Sequence, residues 1–103
     1  MQWREGRTAV ADALGNATVY IPTRVGFIYK LERAAINGTS GLTSFYLNGV
    51  SDLDRIQVSP TSDPNVYEAD TPAIIQGGET LVVTFAGATP GVTCSVSVRG
   101  SRY

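Results

Sequence analysis

The sequence predicts an all-β domain: an antiparallel β-sandwich or jelly-roll-like barrel of about eight short strands. Three observations carry this expectation. Apolar and polar residues alternate with period two from residue 17 onward, turn-forming pairs separate the apolar runs, and no helical pattern alternates with the strands. The chain has 103 residues, 43% of them hydrophobic and 17% charged, enough for one small core and too apolar for disorder.

Residues 1–16 differ in pattern from the rest of the chain. Trp3, Val10 and Leu14 would align on one face of a helix, so a short helix and an extended arm both fit. The expected organisation is an N-terminal arm over 1–16 and a single sandwich domain over 17–103. Residues 1–14 are expected to serve docking and to be dispensable for folding.

The clearest strand is 25–31, where Val25, Phe27, Tyr29 and Leu31 share one face and Gly26, Ile28, Lys30 and Glu32 take the other. In 92–99, Val92, Cys94, Val96 and Val98 point inward while Thr93, Ser95, Ser97 and Arg99 point outward. Leu81, Val83 and Phe85 make a third stripe, with Val82 and Thr84 opposite. Weaker strands are expected at 17–21, 43–49, 54–59, 66–69 and 72–75. Gly15-Asn16, Asn37-Gly38, Asn48-Gly49, Gly77-Gly78 and Thr89-Pro90-Gly91 supply the turns between them.

Composition argues against catalysis. There is no His, the commonest general base and neutral metal ligand. A single cysteine, Cys94, closes no intrachain disulfide and makes no paired-cysteine zinc site; it alternates inward and reads as a buried structural thiol. No Gly-x-Ser-x-Gly elbow and no phosphate loop are present. Asp52 with Asp54, and Glu68 with Asp70, are each two apart and would project from one face of a strand. One such pair supplies too few ligands for calcium, so a polar rim is the ordinary reading. Asn16-Ala17-Thr18 and Asn37-Gly38-Thr39 match the glycosylation sequon, but turn chemistry explains both asparagines. No cofactor and no metal are expected.

Charge is unevenly placed around a net value of −1. Residues 1–36 sum to +2, residues 37–79 to −5 and residues 80–103 to +2. The ordinary reading is solvated loops and outer strand faces; the sharper one is that complementary patches suit contacts between copies or with an acidic neighbour. A pI near 5.2 without a Lys/Arg stripe disfavours nucleic acid. No stretch approaches a membrane span, and residues 1–16 lack a secretory leader pattern, so synthesis in the cytoplasm is the expectation.

Three segments are similar to small all-β virion proteins of tailed bacteriophages, particularly phages of actinobacteria. They are Pro22 to Arg33, ending in Leu-Glu-Arg; Ala69-Asp70-Thr71-Pro72-Ala73-Ile74-Ile75 leading into Gly77-Gly78-Glu79-Thr80-Leu81; and Val82 through Gly91 before a closing strand. The likeness runs from Val19 to about Val98, with Phe85 where such proteins often carry Trp. It implies a non-enzymatic structural role in the virion. The expected function is a capsid decoration or cement protein, a minor capsid component that binds the major capsid protein and other copies of itself. Trp3, Arg4, Arg7, Arg102 and Tyr103 are the candidate contact residues, because aromatics and Arg anchor interfaces. The alternative is a tail-tip or fibre domain that binds host surface glycans through Tyr46 and Tyr67.

Overall fold

The computed structural model describes residues 1–37, 42–49, 51, 61–62 and 66–103. Seven strands of six residues or more make up most of them: β1 (Gln2–Val10), β2 (Ala17–Pro22), β3 (Ile28–Asn37), β4 (Leu42–Leu47), β6 (Val66–Gln76), β7 (Thr80–Ala86) and β8 (Thr93–Arg102). A two-residue strand, β5 (Thr61–Ser62), borders β4. All pairings are antiparallel, and they form two sheets in the orders β1-β8-β3-β6 and β2-β7-β4-β5. The expected strand at 54–59 and the turn residue Gly38 lie outside the described residues.

Alternation decides what each sheet buries. Trp3, Tyr29, Leu31, Ala34, Ile36, Ile75, Cys94, Val96 and Val98 from the first sheet meet Ala17, Val19, Ile21, Phe45, Leu81, Val83 and Phe85 from the second in one apolar core. Their opposite neighbours Thr18, Tyr20, Glu32, Thr93, Ser97 and Arg99 remain exposed. Three expected core positions differ. Val25 is exposed, because Gly26 has a φ of 97° and the chain turns before entering β3 at Ile28. Phe27 and Val92, just outside their strands, are half-buried. Val82, expected on the outer face, is buried instead, since its cross-strand neighbours there are Tyr20 and Tyr46, both large enough to cover it.

Residues 1–16 are neither a helix nor a free arm. Gln2–Val10 pairs with β8 along its whole length, from Gln2 opposite Ser101 to Val10 opposite Thr93. Trp3 is only 4% exposed and meets Tyr29 edge-on, with ring centroids 5.0 Å apart, whereas Val10 and Leu14 are exposed. Period two therefore describes this segment and the helical spacing does not. Asp12 ends the strand: its Oδ1 accepts hydrogen bonds from the N–H groups of Leu14 and Asn16, both at 2.9 Å. Gly15 comes next with a φ of 79°, where a side chain would collide with the Ala88 carbonyl oxygen.

The expected strands at 66–69 and 72–75 are one strand, β6, with a break in pairing. Leu31 stands opposite Ala73, but Arg33 stands opposite Glu68, so several residues around Pro72 bulge away from β3. Proline has no N–H to give the ladder, which accounts for the break. On its other side β3 carries one extra residue against β8, between Leu31 opposite Gly100 and Arg33 opposite Arg99. Gly100 is required there, because a Cβ would strike the carbonyl oxygen of Lys30.

Thr43 is fully buried on β4, and its Oγ1 finds no hydrogen-bond partner among the described residues. Valine has the same shape without that cost. Thr43→Val should stabilise the fold by about 1 kcal/mol. Urea denaturation checks this, and a loss of stability would mean that the hydroxyl is satisfied.

Candidate functional site

The polar outer face of the first sheet gathers charge from both ends of the sequence. Arg4 on β1 stands directly opposite Arg99 on β8, and Arg99 stands opposite Arg33 on β3. Three arginines thus form one row across three adjacent strands, which are spaced about 4.8 Å apart. Glu68 of β6 continues the row in register beyond Arg33. Arg4 and Arg99 are exposed and Arg33 is half-buried.

Small residues shape the surface around the row. Gly6, Ala35 and Ser97 leave an open groove of about 460 Å³ whose walls include Arg4, Arg33 and Arg99. A second hollow of about 260 Å³ adjoins it, sharing Arg33 and Arg99 and bordered by Gln2 and Glu32. Like charges directly opposite one another on a sheet cost stability. Guanidinium groups side by side match carboxylate or phosphate oxygens bidentately. The groove, which Glu5 also lines, thus brings guanidinium groups of three strands to one surface where they can meet carboxylate oxygens.

The contact residues expected from the sequence separate into different roles. Trp3 is a correction: its ring lies in the core, so it anchors β1 to its own domain and offers no contact surface. Arg4 lies in the groove. Arg7 donates a hydrogen bond from Nη1 to Glu5 Oε2 at 2.9 Å, a pair left half-exposed at the sheet edge. Arg102 turns toward Phe27, its guanidinium carbon 4.6 Å from the ring centroid, and donates from Nη2 to Met1 Sδ at 2.7 Å. Tyr103 is an exposed side chain on a fixed backbone, because Tyr103 and Ile28 exchange N–H to carbonyl hydrogen bonds of 2.9 and 3.0 Å. Met1 and Arg102 exchange another such pair.

Sequence reasoning missed Arg33 and Arg99 as a site. Arg99 is visible as an outward residue of its strand, but its neighbours come from positions 4 and 33. Among the carboxylate pairs, Asp52 and Asp54 lie outside the described residues. Glu68 and Asp70 belong to β6, and their side chains lie outside those described. Cys94 is buried on β8, as its alternation requires. The tyrosine platform needs a correction at Tyr46, which lies on the outer face of β4 beside Val82 but is only 7% exposed; the side chain of Tyr67 lies outside those described.

Among known protein families no model matches this chain, and no curated protein matches it.

Proposed function

We propose that this protein is a non-enzymatic structural protein of a bacteriophage virion, a capsid decoration or cement protein that binds the major capsid protein and its own copies. The observation that carries the reading is the Arg4–Arg99–Arg33 row in its shallow groove. Adjacent guanidinium groups of this kind suit a carboxylate-bearing protein surface. The strand orders β1-β8-β3-β6 and β2-β7-β4-β5 support the finer description of the fold as a jelly roll, an architecture used by viral capsid proteins and lectins alike. Fold alone does not choose a function. The likeness of three segments to phage virion proteins adds the choice of particle.

Arg99→Glu tests the reading because it separates docking from folding. Arg99 is exposed, so the substitution should change stability by no more than about 0.5 kcal/mol. Particles assembled with this variant should retain little of it, and wild-type retention should fall as salt rises. Normal retention of a well-folded Arg99→Glu protein would overturn the docking role. Copies confined to the tail would overturn decoration of the shell.

A further inference from the structure

We infer that β1 is a self-complementary edge through which two copies of this chain pair antiparallel about a two-fold axis at Gly6. The inference rests on the proposed contact between copies and names the surface that makes it. Among the described residues, four strands border the two sheets: β1, β6, β2 and β5. Natural sheets protect such borders with prolines, bulges, charged side chains or very short strands. Here β2 ends on Pro22, β6 carries Pro72 and a break in register, and β5 spans two residues. The remaining strand, β1, runs Gln2–Val10 without proline, in unbroken register with β8, and its charges, Arg4, Glu5 and Arg7, are of both signs and so repel a second copy only in some registers.

The backbone of β1 fixes which groups face outward. Met1 and Arg102 exchange both backbone hydrogen bonds, at 3.1 and 2.7 Å, and Ala11 donates to Val92 at 2.8 Å. Hydrogen bonding alternates along an antiparallel pair, so the odd residues of β1 bond to β8. The N–H and C=O groups of Gln2, Arg4, Gly6, Thr8 and Val10 therefore point to the open edge. No strand among the described residues covers them. A second copy pairs with these groups only in registers that place even residues opposite even residues.

Charge selects one of those registers. With Gly6 opposite Gly6 of the second copy, Glu5 faces Arg7 and Arg7 faces Glu5, while Arg4 faces Thr8 and Gln2 faces Val10. These charged positions then form non-hydrogen-bonded pairs, in which side chains approach most closely. Shifting the axis to residue 5 opposes two glutamates, and shifting it to residue 7 opposes two arginines. An axis at residue 4 likewise opposes two arginines. The register centred on Gly6 uses the whole strand and puts opposite charges together twice. The Glu5–Arg7 contact of 2.9 Å within one chain becomes half of a four-membered charge network.

The test is charge exchange, read by sedimentation and native mass spectrometry on the full chain. The wild type should be a dimer. Glu5→Arg alone and Arg7→Glu alone should each weaken dimerisation roughly tenfold or more, because like charges then face each other twice. An equimolar mixture of these two variants should form a mixed dimer, since arginines at 5 and 7 then face glutamates. Gly6→Cys adds a direct geometric reading. Its Cβ has room, with Ser97 Oγ the nearest atom at 3.7 Å, and residues paired across the axis lie within disulfide reach. Mild oxidation should link the copies through position 6, while Thr8→Cys should link poorly; Cys94 is buried. A monomeric wild type, or single variants that dimerise normally, would overturn the inference. So would a mixture that forms no mixed dimer. None of these outcomes bears on particle retention of Arg99→Glu, which judges the virion reading separately.

Discussion

Removing residues 1–14 is expected to abolish cooperative folding of the domain. The deletion takes away β1, and with it every hydrogen bond that β8 makes along one side. It also removes Trp3, whose ring packs against Tyr29 in the core. Truncating a buried Trp alone costs about 3–5 kcal/mol, against a total stability for small domains of about 5–15 kcal/mol. The newly bare side of β8 would expose Val96, Val98 and Cys94 near an unpaired edge, adding aggregation to the loss. Circular dichroism through a urea titration distinguishes the outcomes. A truncated chain that unfolds cooperatively at the wild-type midpoint would show that β1 is an accessory strand. Loss of the truncated chain from particles would then result from misfolding, so docking must be judged with Arg99→Glu, which leaves β1 in place.

The parts of the fold that depend on neighbours within a few residues were readable in the sequence. Period-two stripes place Tyr29, Leu31, Leu81, Val83, Phe85, Cys94, Val96 and Val98 in the core. The turn positions agree as well, with positive φ at Gly15, Asn48, Gly78 and Gly91. What depends on partners distant in sequence was not readable. Residues 2–10 contain Gly6 and three charged side chains, so their alternation is weak until β8 supplies the opposite strand. Val82 reads as outward by alternation, yet two tyrosines from β2 and β4 flank it. The arginine row belongs to the same class. The basic character of both ends was evident from charge sums, but the meeting of positions 4, 33 and 99 is set by register. A single-residue slip would send each arginine to the opposite face.

Phe85→Ala should cost about 3–5 kcal/mol and lower Tm by more than roughly 10 °C. Phe85 sits on β7, the strand that joins β2 to β4 in the second sheet, and is almost fully buried. Its cross-strand neighbours are Ala17 and Thr43, both buried and both small. Neither side chain is long enough to fill the space that a missing ring leaves. The strands on either side are held in ladders, so the backbone has little freedom to collapse inward. Both conditions favour the upper part of the range for a cavity-forming substitution. Phe27 provides the comparison, because it is half-buried at the entry to β3 and only borders the core. Phe27→Ala should cost at most about half as much, in proportion to the apolar area each ring removes from water. Equilibrium denaturation of both variants gives the ratio directly, with an unchanged m-value confirming that the denatured state is not the source. Equal losses, or a Phe85→Ala loss below about 1 kcal/mol, would put the inward phase of β7 in error.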